Sequence, residues 1–140
     1  MRGNSKNDPG VVMRQGWIEK KLSEVCLFHP QKDEIRKRIS NSELVSFVPM
    51  EDLGIHQKFF LPSKVHPLYE VINSYTYFAD GDVLLAKITP CFENGKLGIA
   101  GNLVNGVGFG SSEYFVLRPS ESLDKEYLYY LLFICLLRSL

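Results

Sequence analysis

The sequence predicts an α+β fold, a twisted and mainly antiparallel β-sheet with a C-terminal helix, and three observations carry that expectation. From Tyr77 to Pro119, short apolar runs of β type alternate with loops rich in polar residues and glycine. Pro62 and Pro67 interrupt the aromatic-rich stretch from Phe59 to Phe78 and exclude a long helix there. From Asp124 to Arg138, strong helix formers follow acids placed where a helix N-terminus favours them.

Taken in order, Met1 to Gln15 is polar, with Gly, Asn, Asp and Pro, and reads as a flexible tail over residues 1–15 without the apolar core of a secretory signal. Gly16-Trp17 to Leu22 suits a short edge strand, and Ser23 is placed to cap a helical turn after it. Pro30 to Ser42 is dense in charge, and its only aliphatic side chains, Ile35 and Ile39, stand i to i+4; the segment is a solvated helix or a basic loop. Leu44 to Met50 reads as a strand broken by Pro49, and Met50 to Gly54 as a turn or short helix ending at the glycine. Loop and short strand alternate between Phe59 and Phe78. Val83 to Ile88, Leu97 to Ala100 and Tyr114 to Leu117 are the clearest strands, and Gly106-Val107-Gly108-Phe109-Gly110 between them reads as a bend in a curved sheet. The last segment is the plainest helix. Twelve of the fourteen residues from Tyr127 to Leu140 are apolar, fewer than the roughly 20 that span a bilayer. Such a helix must fold back on the core or pair with another chain.

A length of 140 residues and 45% hydrophobic composition suit one domain with its own core. Sixteen basic residues balance sixteen acidic ones, so bulk attraction to nucleic acid is absent and any such role must come from local distribution. The first 64 residues carry eleven Lys/Arg against eight Asp/Glu, and the remainder five against eight. Cys26, Cys91 and Cys135 are odd in number and widely spaced, which argues against a disulfide framework or a zinc site and for a reducing cytoplasm. His29, His56 and His66 are scattered and form no metal or general-base constellation.

Three clusters offer nucleic-acid chemistry. In the loop from Thr89 to Lys96, Pro90 and Asn94-Gly95 fix the backbone, and Lys87, Thr89, Asn94 and Lys96 present ammonium, hydroxyl and amide groups. Cations and hydroxyls suit phosphate, and an amide can pair bidentately with adenine; a hairpin with solvated side chains is the plain alternative. Ser111, Ser112 and Glu113 could meet base edges, Glu113 taking the cytosine amine, or could simply turn the chain. Lys32, Arg36, Lys37 and Arg38 could track a phosphate backbone or form a wet surface. Catalytic signatures are missing: no two of the seven prolines adjoin, and no Walker A, HExxH or GxSxG pattern occurs. The glycine run lacks the βαβ setting of a nucleotide loop. Glu19-Lys20-Lys21 has the acid-x-lysine spacing of one nuclease motif, with only Asp8 upstream of it.

Gly81-Asp82, Lys87-Ile88-Thr89-Pro90-Cys91, Glu93-Asn94-Gly95-Lys96 and Ser111-Ser112-Glu113-Tyr114-Phe115, taken together, resemble the target recognition domain of type I restriction-modification specificity subunits. Gly16-Trp17, Leu22 to Val25 and Val45 to Gly54 resemble the opening segments of the same family, so some 110 residues take part. The resemblance implies a DNA target recognition domain over residues 16–122 and, from 123 to 140, the truncated start of a connecting helix, a departure from the family pattern in which the second domain and both spacer helices are absent. It further implies sequence-specific binding of double-stranded DNA at half of a bipartite site. Catalysis is left to partners, a methyltransferase subunit that uses S-adenosylmethionine and a restriction subunit, and the chain itself takes no cofactor or metal. Pairing of two copies through the C-terminal helix is a further expectation. Two other classes stand beside it: a docking element that reads no DNA, and a small metal-dependent nuclease built on Glu19.

Overall fold

The computed structural model describes residues 22–54, 58–60, 62–86 and 96–138. The expected tail, the edge strand before Leu22 and Glu19 lie outside them.

After a helical turn, α1 (Leu22–Val25), come β1 (Cys26–Phe28), a second turn α2 (Asp33–Arg36), β2 (Leu44–Val48), a 3-10 turn (Met50–Asp52), β3 (Lys64–Pro67) and α3 (Leu68–Val71). The chain continues as β4 (Thr76–Ala79), β5 (Val83–Ala86), β6 (Lys96–Ile99), a 3-10 turn (Val104–Gly106), β7 (Val107–Gly110), β8 (Tyr114–Pro119) and α4 (Lys125–Arg138). The strands form two four-stranded sheets rather than one, in the orders β1-β8-β5-β6 and β3-β2-β7-β4. Every strand pair is antiparallel except β2 with β7. The α+β reading stands, in four layers: α4, the first sheet, the second sheet, then α2 with α3.

Period-two alternation builds these layers. In β5, Leu84 and Ala86 face the second sheet while Val83 faces α4; in β8, Tyr114 and Val116 face inward and Leu117 faces α4. In β4, Phe78 points between the sheets and Tyr77 toward α2 and α3, where Ile35, Leu68, Val71 and Phe109 are buried. Full burial of Ile35 is what seats the otherwise charged α2.

The glycine-rich run departs from expectation. Gly106 does turn the chain, at φ +69°, but Val107 to Gly110 is a fully buried inner strand. Its glycines are there for space, because a Cβ on Gly108 would overlap the Phe78 ring, and one on Gly110 would overlap the Tyr114 ring and stand 2.5 Å from the Val48 carbonyl oxygen. Gly98 in β6 does the same for Leu53 and Phe60, at 2.7 and 2.8 Å. Small residues on the inner faces thus let large rings fill the gap between sheets. Tyr114 also donates its buried hydroxyl to the Val48 carbonyl at 2.8 Å. Tyr114→Phe leaves that acceptor short of a partner and is expected to lower stability by about 1 kcal/mol in urea unfolding, with the fold retained.

One local reading is corrected at the helices and one is borne out. Ser23 lies inside α1 rather than before it. Asp124 is the N-cap of α4, accepting from the Glu126 and Tyr127 amides at 3.1 and 3.0 Å. α4 folds back on the first sheet through buried Leu128 and Tyr129, while Tyr127, Tyr130, Leu131 and Ile134 remain exposed. Among the described residues, no helix is long and apolar enough to cross a membrane.

Candidate nucleic-acid interface

Strand register decides which loops meet. Val48 and Thr76 both lie beside Gly110, Tyr114 lies opposite Ala86, and Ala86 opposite Lys96. The ends of β2, β5 and β7 and the starts of β4, β6 and β8 therefore gather at one end of the sandwich. β1 points the same way, with Phe28 opposite Leu117 and the His29 amide donating to the Val116 carbonyl at 2.9 Å.

The turn Ser111–Glu113 stands at this end, crossing from one sheet to the other. Ser111 closes it, its Oγ accepting from the Glu113 amide at 3.0 Å and its carbonyl from the Tyr114 amide at 3.1 Å. Ser111 is thus a turn residue, while the side chains of Ser112 and Glu113 are left exposed on a fixed backbone. Lys96 begins β6 here, but its ammonium donates to the Met50 carbonyl at 2.9 Å, binding the strand to the 3-10 turn. Lys87, Thr89 and Asn94 lie outside the described residues, in the connection that leaves Ala86 and returns at Lys96.

Beside them is an open cleft of about 430 Å³ lined by residues 29 to 33 with Arg36, Tyr75, Thr76 and Tyr77. Lys32 and Arg36 supply its cations. Burial, and after it the neighbouring Arg36 charge, hold the Lys32 ammonium below its usual range. Arg36 lies 3.6 Å from Asp33 in an exposed pair, and among the described residues Lys32 and Lys37 pair with no carboxylate. Arg38 does not join them. Its guanidinium donates to the Asn105 carbonyl at 3.0 Å, toward the opposite end.

A polar network missed in the sequence fixes this platform. Arg118 of β8 makes a bidentate pair with Asp82 at 2.8 and 3.0 Å and reaches Glu34 of α2 at 2.8 and 3.1 Å, while the Tyr77 hydroxyl donates to Glu34. It fastens both sheets and the cleft-forming α2. Burial raises Asp82 above the ordinary carboxylate range despite Arg118, whereas for Glu34 the hydrogen bonds from Tyr77 and Arg118 overcome burial and lower it. Burial and Glu34 push the Tyr77 hydroxyl up to about 12. An arginine within the apolar run of β8 and the acid that follows Gly81 were the available signals. Among the described residues, no group of His, Cys, Asp and Glu could hold a metal ion.

No family model matches the chain. It is 38% identical over 125 residues to the EcoEI type I restriction enzyme specificity subunit of Escherichia coli, and 33% identical over 126 residues to the EcoAI specificity subunit of the same organism. Over its aligned length the chain is similar to type I restriction enzyme specificity subunits. Both alignments take in 89% of the chain, which spans about a fifth of the length of either relative. The fold agrees with solved structures: a chain from work on assembly and conformational transition of the type I R-M system superposes with TM-score 0.56 and 21% identity, over 91% of this chain and 30% of that one. The HsdS subunit of Thermoanaerobacter tengcongensis gives 0.54 and 22%, over 89% and 29%. The resemblance read from the sequence is therefore upheld for the family and the fold.

Proposed function

We propose that this chain is a non-catalytic DNA target recognition domain, residues 16–122, that reads a short duplex word at the loop end of its two sheets. One observation carries the reading: in a protein of zero net charge, an exposed polar turn, the strand ends Ala86 and Lys96 that flank residues 87–95, and the Lys32–Arg36 cleft lie at one end. Lys32, Arg36 and Lys37 anchor to phosphate, and Ser112, Glu113 and Asn94 select bases in the major groove. Lys87 and Thr89 extend the phosphate contact. Lys96 and Ser111 shape the loops, and Arg38 serves the fold. Within a larger assembly the domain directs methyltransferase and restriction subunits to half of a bipartite site.

The variants separate these roles. Lys32→Ala and Lys37→Ala are expected to weaken all duplexes alike, each reducing the salt slope of binding by about one, whereas Ser112→Ala and Asn94→Ala change which base is preferred. Unchanged duplex titrations in all four remove this end from the reading. A second reading, docking to a methyltransferase subunit without DNA contact, rests on exposed Tyr127, Tyr130, Leu131 and Ile134 of α4. Size measurements with and without that subunit distinguish it, and also report any pairing of two copies through α4.

A further inference from the structure

The first sheet carries exposed aromatic rings at the loop end. Phe28 and Phe115 are 37% and 40% exposed, with ring centroids 5.6 Å apart, and the His29 ring stands 4.8 Å from Phe115. Elsewhere on the inner strands, Tyr77, Phe78, Phe109 and Tyr114 are buried, so this outward row is set apart from the core. His29 is held in place. Its backbone sits in the left-handed region at φ 52°, its amide donates to the Val116 carbonyl at 2.9 Å, and its carbonyl accepts from the Gln31 side chain at 3.3 Å. Such a conformation is unfavourable for a residue with a Cβ and persists only where neighbours impose it.

His29 also lines the cleft that holds Lys32 and Arg36. Through His29 the ridge adjoins the cleft, with flat apolar faces on one side and, on the other, Lys32 and Arg36 beside the Asp33 carboxylate that pairs with Arg36. That combination of rings and cations complements a ligand with a planar base and a phosphate. A paired base within a duplex offers no free face, so the matching ligand is a nucleotide out of the stack.

We infer that Phe28, His29 and Phe115 form a stacking platform for an unpaired nucleotide of DNA whose phosphate lies on Lys32 and Arg36. The inference deepens the DNA-facing reading of this end and rests on it for the source of the nucleotide. It adds single-stranded binding to duplex recognition, at a site two residues from the Ser112–Glu113 turn.

Fluorescence anisotropy with labelled single-stranded oligothymidylate tests it, beside the same measurement on a random-sequence duplex. Stacking is tolerant of base identity, so the wild-type chain binds the oligothymidylate, and Phe115→Leu weakens it by about tenfold or more while leaving duplex affinity unchanged. Leucine keeps the apolar bulk, and Phe28→Leu repeats the test from the neighbouring strand. Lys32→Ala lowers the single-strand salt slope by about 0.7. The inference is overturned if wild type does not bind oligothymidylate, as for a ridge that serves a protein partner, or if both leucine variants bind as wild type does. Equal losses on both DNAs also overturn it, because they mark a general change in the fold. Single-strand binding without any duplex binding refutes the double-stranded reading alone.

Discussion

Gly110→Ala is expected to lower the unfolding free energy by about 3 kcal/mol or more, while Gly101→Ala changes it by no more than about 0.5 kcal/mol. The added methyl at Gly110 meets the Tyr114 ring and, at 2.5 Å, the carbonyl oxygen of Val48. A ring can swing when it has room, but Tyr114 is buried between the sheets, and the carbonyl belongs to the neighbouring strand. Loss of chain entropy in the unfolded state favours alanine by less than about 1 kcal/mol, too little to offset the overlap. Nothing lies within 4 Å of a Cβ at Gly101, which makes it the matched control. The damage extends to function, since β7 runs directly into the Ser111–Glu113 turn. Urea unfolding of both variants checks the prediction, and equal stability contradicts the tight inner face.

Replacing Arg118 with methionine is expected to cost about 3 kcal/mol at neutral pH, with a deficit that shrinks on acidification. Most of the effect belongs to Asp82, whose side chain is 1% exposed; Glu34 is 42% exposed, and its arm is screened by water. The sign follows from the two shifts. Asp82 is raised above 3.8, so the folded state binds its proton more tightly than the unfolded state, and ionising it opposes folding as pH rises. Glu34 is lowered below 4.5, so it contributes stability at neutral pH that is lost as pH falls through its folded value. Arg118 pulls both carboxyls down. Without it Asp82 climbs further and Glu34 returns upward, so both changes penalise the variant most where the acids are ionised. Unfolding midpoints at pH 7 and near pH 4 test this, and a deficit unaffected by pH contradicts it.

The legible parts of this fold were those written in local pattern. Apolar runs gave β5, β6, β8 and the break at Pro49 after β2, and acids before helix formers gave α4, because these signals depend on neighbours in sequence. The glycines of β7 misled for the converse reason. Gly108 and Gly110 are explained by Phe78, Tyr114 and Val48, residues on other strands, and no local rule separates a glycine that bends from one that makes room. The same limit hid Arg118, whose partners Asp82 and Glu34 lie 36 and 84 residues away. Of the proposed contacts, Lys32, Arg36, Ser112 and Glu113 could be picked out by type but not assembled, since only strand register brings them to one end. Arg38 and Lys96 show what type conceals: each cation donates to a carbonyl of its own fold.

Selection from a randomised duplex library tests the central claim most directly. The account predicts that the purified chain enriches one short word, and that Ser112→Ala changes the word without abolishing binding. No enrichment, with the chain alone or with methyltransferase and restriction subunits added, contradicts it.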